Sequence, residues 1–449
     1  MIPESNIFYR RLSHPHPVAD HGEGVYLWDS EGHRYIDASG GAAVVNIGHG
    51  VAEVAQAIAE QASKAAYVHG TMFTTEILEK HGKRIAELLP MENPRLYYMS
   101  SGSEAIETAI KFVRQVQLGR GEPDRDSIIA RWGSYHGATL GALAVTGKPK
   151  MRKAFQPLFR DQPHIPPPYC YRCPFDATLS TCSLECAQAL EEEILRQGAN
   201  RVGGFLTESI GGATLGAIVP PKDYWLRVAE ICEKYGLLLI VDEVMAGMGR
   251  TGKWFGIDHY RVQPDIMTLG KGITSGYFPL SVTACRGEHV ETIRQTQGDF
   301  VHGGTYSHHA VGAAAGLATL DYLEKHDLVM AATERGEYLG NKLRDILGNL
   351  PCVGDVRGLG MLWGVEFVSD RKTKGPFPSK AKFNRRVGDL AFERGVVVYP
   401  GGGCVDGELG DHILIAPPFV INKEEIDEVV EVLGGVVMEV YEEIGRGTT

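Results

Sequence analysis

The chain has no run of about 20 consecutive apolar residues, the length a helix needs to cross a bilayer. Its opening, Met1-Ile-Pro-Glu-Ser-Asn6, is polar and has no apolar signal core. The expectation is a cytoplasmic protein without a membrane partner. Positive charge is also short: 45 Lys and Arg stand against 56 Asp and Glu, a net charge of −11. That balance argues against binding nucleic acid or an anionic membrane. Internal repeats and low-complexity segments are missing.

The 449 residues are 43% apolar and 22% charged, with 55 glycines. This is a globular composition with material for a large core and two or three domains. From about residue 95 to 285, strand-like and helix-like patterns alternate. Strands are expected at Arg95–Met99, Ser127–Arg131, Gly203–Thr207, Leu237–Val241, Asp265–Leu269 and Pro279–Cys285. Helices are expected between them, notably Ala105–Leu118 and Lys222–Tyr235. Such alternation gives an α/β core with a mainly parallel sheet. Gly24–Asp37 reads as a hairpin turning at Ser30-Glu-Gly32. The C-terminal part, with strands at Met361–Val368, Val396–Tyr399 and His412–Ala416, reads as a smaller α+β domain that the hairpin packs on. A final helix starts at Asn422 with a capping-box signal, Asn422-x-x-Glu425. The expected divisions are 1–65, 66–330 and 331–449.

Two strand ends carry chemistry. Leu237–Val241 is a continuous apolar run that delivers Asp242-Glu243 at its carboxyl end, where open α/β sheets collect ligands. The next strand ends in Leu269-Gly-Lys271-Gly272, a lysine on a glycine turn. A partly buried lysine has a lowered pKa and can act as a nucleophile toward an aldehyde. The P-loop spacing is absent around it. Taken singly, Lys271 reads as a solvated charge, and Asp242 as a turn cap or a Mg²⁺ ligand. Ser101-Gly-Ser103 sits at a helix start, which is an anion site or an ordinary N-cap. Tyr135-His136-Gly137 follows another strand, and its aromatic ring can stack on a planar ligand.

Four of the eight cysteines cluster as Cys170-x2-Cys173-x8-Cys182-x3-Cys186. The default reading is a loop of unpaired thiols with no metal. A structural zinc site is the alternative that the spacing allows.

Jointly, these segments resemble the class III pyridoxal phosphate aminotransferases of fold type I. The resemblance spans essentially the whole chain. It is carried by Gly24-Val-Tyr-Leu-Trp-Asp29, Asn46-Ile-Gly-His-Gly50, Ser101-Gly-Ser-Glu-Ala105, Tyr135-His-Gly137, Asp242-Glu-Val244, Gly249-Arg-Thr-Gly252, Leu269-Gly-Lys-Gly272 and Gly303-Gly-Thr-Tyr306. It implies a large domain with a mixed, mainly parallel sheet of the seven-stranded type and a small domain built from both termini. It also implies a homodimer, alone or paired into a tetramer, with the site at the subunit interface.

By resemblance, Lys271 bonds to pyridoxal 5′-phosphate and later moves the proton, while Asp242 meets the pyridine nitrogen. Val244 and Tyr135 pack on the two faces of the ring, with His136 and Glu208 beside it. The usual Glu-Pro is here Glu208-Ser209. Ser101, Gly102 and Ser103 hold the phosphate, completed by Thr305 from the other subunit. Arg357 matches an arginine for a substrate carboxylate. Relatives that use 2-oxoglutarate carry an arginine where this chain has Ala138, and a glutamate where it has Ala213. Ala43 stands where the amine–pyruvate branch often has an aromatic pocket residue. The resemblance therefore implies a small-molecule amine or ω-amino acid donor and pyruvate as the keto-acid acceptor.

Overall fold

The computed structural model describes residues 5–12 and 16–446; the outer ends of the first and last expected divisions lie outside them. The central sheet has seven strands, in the order Arg95–Met99, Ser281–Cys285, Ile266–Leu269, Leu238–Asp242, Val202–Glu208, Ser127–Arg131, His164–Ile165. Five neighbouring strands run parallel. Ser281–Cys285 is antiparallel to both its partners, so the sheet is mixed. Every residue of Leu238–Asp242, Val202–Glu208 and Ser281–Cys285 is buried. That burial explains why Leu238–Val241 reads as an unbroken apolar run and not as an alternating one.

One face of the sheet is covered by the helix Gly102–Gly119. Its Ile106, Ala109, Phe112, Val113 and Val116 share a buried cluster with Ile128, Leu206, Leu238 and Ile240. On the other face, the helix Tyr224–Tyr235 stops at Gly236, whose φ of +67° makes it a left-handed cap that turns the chain into the next strand.

Two smaller sheets flank the core. The N-terminal hairpin (Tyr26–Asp29 and Arg34–Asp37) has a third strand, Ala19–Glu23, on one side. On the other it pairs in parallel with Val396–Val397 from the C-terminal part. The second sheet runs Val353–Leu359, Leu362–Phe367, Asp411–Ile415, Tyr399–Gly402, all antiparallel. The sequence reading of one strand at Val396–Tyr399 is thus corrected. Val398 is a buried joint, and the residues before and after it join different sheets. Val353–Leu359 was not anticipated, because its two glycines break the apolar alternation. The last helix, Lys423–Arg446, begins with the expected box: Glu425 N–H donates to Asn422 Oδ1 and Asn422 N–H to Glu425 Oε2, both at 2.8 Å.

Arg250 joins the parts. It is fully buried, and among the described residues no carboxylate forms an ion pair with it. It donates to Met361 O (3.2 Å) and Pro417 O (2.6 Å) in the C-terminal part, and to Val45 O (3.2 Å) and Asn46 Oδ1 (2.6 Å) near the N-terminus. Its guanidinium stacks 4.7 Å from the Phe419 ring centre. Burial lowers its pKa to about 9, so it remains charged at neutral pH. Arg250→Met leaves four buried oxygens without this donor, and each unsatisfied group costs about 1–3 kcal/mol. The expected outcome is a loss of about 3 kcal/mol or more in equilibrium denaturation. An unchanged midpoint would show that the joint lies elsewhere.

Candidate active site

The parallel register sets three side chains in a row at the carboxyl end of the sheet: Glu208 pairs with Asp242, and Asp242 with Thr268. The Asp242 carboxylate is held from three directions. Oδ1 accepts from Val244 N–H (3.0 Å) and Thr268 Oγ1 (3.2 Å), and Oδ2 accepts from His136 Nδ1 (2.8 Å). His136 is itself buried, and its Nε2 has no partner. The adjacent Glu243 points the other way. It accepts from Gly256 N–H and Ile257 N–H (2.9 and 2.8 Å), and burial pushes its carboxyl up to about 8. One acid of the pair is thus aimed at the site and the other braces the loop behind it.

Lys271 follows three residues after Thr268. It has a φ of +43°, a strained conformation for a residue with a Cβ, of the kind found at functional sites. Its side chain is densely surrounded but keeps a solvent-accessible face. Burial lowers its amine to about 8, against the pull of Asp242 and Glu208, and Arg250 adds to the lowering. Among the described residues, no hydrogen bond or ion pair holds this amine. Burial likewise pushes the Glu208 carboxyl up; His136 opposes the rise and Asp242 adds to it. Glu208 Oε1 accepts from Gly212 N–H at 3.0 Å.

The helix Gly102–Gly119 begins beside these groups. Ser101 caps it, accepting from Glu104 N–H. First-turn amides of a helix have no partner within it and attract anions. Ser103 Oγ accepts from Ala138 N–H (3.1 Å), which stitches this turn to the Tyr135-His136-Gly137 loop. Val244 fills the space between the two loops. A Cβ on Gly102 would stand 3.0 Å from its Cγ1, and one on Gly270 3.2 Å, so a larger residue on either side would press on Val244. Tyr135 stands at the rim, 39% exposed. The structure thus brings together an anion-receptive turn, a fixed carboxylate and an unpaired amine of low pKa. That set fits a phosphate-bearing pyridine aldehyde.

Other expected residues lie elsewhere. Thr305 is on the open surface of the chain with Gly303, Gly304 and Tyr306. Ala43, expected at a substrate pocket, is instead 3% exposed, in a buried cluster with Ile210, Ala246 and Leu414. These neighbours come from other segments and enclose it. Arg357, expected to receive a carboxylate, lies inside the unanticipated strand and is already neutralised. It pairs with Glu366 (2.9 Å) and Asp355 (2.8 Å), donates to Leu215 O and Tyr169 Oη, and lies against the Tyr169 ring. Although Glu366 is buried, Arg357, Tyr169 and Arg172 hold its carboxyl below the usual range.

Sequence reasoning missed Lys148. It lines a cavity of about 390 Å³ with Trp132, Tyr169, Arg172, Thr214 and Cys404, at the carboxyl ends of the same strands. It is partly buried, and among the described residues no carboxylate pairs with it. Burial lowers its pKa, as do Arg10 and Lys150. The only signal in the sequence was a lysine after a glycine, which is uninformative without the fold.

A pH dependence follows from Lys271. Its neutral form dominates above about 8, whereas an ordinary lysine needs about 10.4. In cofactor-free protein, the rate at which Lys271 is modified by an aldehyde reagent should therefore rise through pH 8 and level off, while surface lysines keep rising beyond it. Peptide mapping by mass spectrometry checks this. A Lys271 rate that tracks the surface lysines would refute the lowered pKa.

The class-III aminotransferase family profile matches residues 8–437. The chain is 36% identical over 412 residues to the putrescine–pyruvate aminotransferase of Pseudomonas aeruginosa, covering 91% of this chain and 87% of the relative. It is 36% identical over 423 residues to the diaminobutyrate–2-oxoglutarate transaminase of Halomonas elongata, covering 93% and 89%. Among solved structures, it matches the (S)-enantioselective omega-transaminase of Thermomicrobium roseum with a TM-score of 0.89 and 38% identity, covering 95% of this chain and 93% of that one. The chain belongs to the class III aminotransferases, pyridoxal phosphate-dependent transferases of fold type I.

Proposed function

We propose that the protein moves an amino group from an amine or ω-amino acid to pyruvate, forming alanine, in two half-reactions that share one site. The observation that carries this reading is the absence of a second cation where Ala138 stands, together with the absence of the glutamate at Ala213. A dicarboxylate acceptor there would bury an unpaired charge. The putrescine–pyruvate relative supports the same choice.

Pyridoxal 5′-phosphate, when bound, supplies an aldehyde that takes up the amino group and a ring that accepts electrons. The chain's residues do the rest. The Gly102 and Ser103 amides, with Ser101, take the phosphate. Asp242 receives the ring nitrogen and keeps it protonated, and His136 and Thr268 fix the angle of the carboxylate. Val244 and Tyr135 bracket the ring, with Glu208 beside it. Lys271 provides the neutral amine for attachment. Once displaced, it removes and returns the proton at the amine-bearing carbon of the substrate. Lys148, in place of the occupied Arg357, meets a substrate carboxylate at the cavity wall.

We infer that the working unit is a dimer. Tyr67, Met72, Phe73, Val301 and Tyr306 are 44%, 73%, 66%, 78% and 62% exposed, and the Tyr67 and Tyr306 rings lie 6.2 Å apart. An exposed aromatic patch of this kind marks an interface, and a second copy over it would carry Thr305 to the neighbouring phosphate turn.

A second reading has its own observation. Arg10 acts electrostatically on both Lys148 and Tyr135, so a cation from the N-terminal segment is within reach of the cavity. If it reaches a distal carboxylate, 2-oxoglutarate becomes the acceptor, as in the name of the Halomonas relative.

The two readings part in a half-reaction on cofactor-loaded protein. Alanine should discharge the visible absorbance and glutamate should not. The opposite result would transfer the function to the 2-oxoglutarate type, and Arg10→Ala should then restore the preference for alanine. Lys148→Ala should raise the half-saturating concentration of carboxylated donors about 10–100-fold, the worth of one charged hydrogen bond, with little change for donors that lack a carboxylate. A uniform loss across both donor classes would remove Lys148 from substrate binding.

A further inference from the structure

Lys271 opens a single tight turn, Lys271–Ile273. Its left-handed backbone is not the only one nearby. Ser275, with a φ of +51°, and Met248, with a φ of +55°, are strained in the same sense without being glycine. Such conformations persist only where the surroundings over-determine them. Here the surroundings meet at one buried side chain, Asn46.

Each polar group of Asn46 is bonded to a different residue. Its N–H donates to Ser275 Oγ (2.7 Å), and its carbonyl accepts from Phe419 N–H (2.7 Å). Its Oδ1 accepts from Arg250 (2.6 Å), and its Nδ2 donates to Met248 O (2.8 Å). The orientation of the amide follows from its partners, because a guanidinium only donates and a carbonyl only accepts. Ser275 Oγ also accepts from Ile47 N–H (3.1 Å). Two residues further on, Tyr277 Oη accepts from Val51 N–H (2.7 Å) and donates to Gly48 O (3.0 Å). The segment from Asn46 to Val51 is thus laced to the chain that follows Lys271. The contact with the turn itself is direct. A Cβ on Gly272, the residue after Lys271, would collide with the Asn46 amide and meet Met248 Cβ at 3.1 Å.

We propose that Asn46 is a positioning residue for the transfer reaction: it holds the Lys271 turn and the Arg250 guanidinium in one fixed relation, which sets how the amine is presented. The inference rests on Lys271 as the attachment point of the cofactor. Asn46 acts through Lys271 and meets neither cofactor nor substrate itself. Its place beside Arg250 also gives it a hold on charge. The charged groups that act on the Lys271 amine are Asp242 and Glu208, which raise its pKa, and Arg250, which lowers it. Asn46→Asp keeps the size of the side chain and adds an anion against the guanidinium. That anion offsets the Arg250 charge, so the Lys271 nitrogen holds its proton to higher pH.

Two variants of the holoenzyme separate charge from position. The pH midpoint at which the visible absorbance of the bound cofactor passes from its acid to its alkaline form reports the proton on the Lys271 nitrogen. In Asn46→Asp that midpoint should rise by about one unit. In Asn46→Ala the rate at which saturating L-alanine discharges the absorbance, per bound cofactor, should fall about 10–100-fold, the effect of a small displacement of a reacting group. The half-saturating concentration should change little. L-Glutamate replaces L-alanine if it proves the better donor. A merely structural residue would alter only stability and cofactor content, so a midpoint or a rate per loaded site that stays at its wild-type value overturns the proposal. Failure of the underlying assignment looks different: borohydride reduction of the wild-type holoenzyme would then fix the cofactor to a lysine other than Lys271, and both readings would be lost. Should the Asn46 variants not fold, Ser275→Ala decides. It removes the acceptor of the Asn46 and Ile47 amides and leaves Arg250 untouched. It should lower the rate per loaded site at an unchanged midpoint, and a wild-type rate would overturn the proposal.

Discussion

A buried guanidinium bonded mainly to backbone carbonyls joins the parts of this molecule. Arg250 takes its acceptors from the segment at Val45–Asn46, from Met361 and from Pro417. Carbonyl dipoles offset its desolvation, and the charge of Asp37 supports it without an ion pair among the described residues. Its charge therefore persists inside the protein and is felt nearby, where it helps to lower the Lys271 amine. One residue thus couples the joint between the chain's parts to the reactivity of the site. A neutral side chain of similar size would weaken the joint and also leave Lys271 more basic.

The site is a balance of buried charges held by register. Glu208 and Asp242 are adjacent across two strands, so two carboxylates lie side by side in a region of low polarity. Burial raises Glu208, which favours its neutral form. Asp242 keeps its role through three donated hydrogen bonds, one of them from a buried histidine. Environment separates the two acids: Asp242 is fixed in place by its donors, and burial moves Glu208 toward its acid form. The same logic divides Asp242 from Glu243, which alternation points to opposite sides of the strand end.

Much of this was legible in the sequence, because buried parallel strands are unbroken apolar runs and their carboxyl ends are where ligand chemistry collects. Asp242, Lys271, the Ser101–Ser103 turn and the Tyr135–Gly137 loop could all be placed by counting from strand ends. What was not legible depends on contacts between distant segments. The Val353–Leu359 strand is masked by its glycines. The role of Arg357 is set by Glu366 and Tyr169, which lie on two other elements. Ala43 is enclosed by Ile210, Ala246 and Leu414, which come from distant segments. Lys148 matters only because the fold opens a cavity beside it and supplies no acid to pair with it.

Specificity then comes down to how many positive charges a substrate finds. Arg357 offers little, since Glu366 and Asp355 already claim it. His412 lies nearby and donates to Ala213 O at 2.9 Å, but burial lowers it to about 4, so it is neutral at physiological pH. That leaves Lys148, with Arg10 acting on it from the N-terminal segment. One fixed cation suits a substrate with a single carboxylate. A second carboxylate would have to be satisfied by a residue on a segment exposed to water, where pairing is worth only about 0–1 kcal/mol. Such a weak pairing discriminates poorly, and a fixed internal cation discriminates well. On the proposed function, the physical asymmetry between Lys148 and Arg10, more than any single missing arginine, is what would favour a monocarboxylate acceptor.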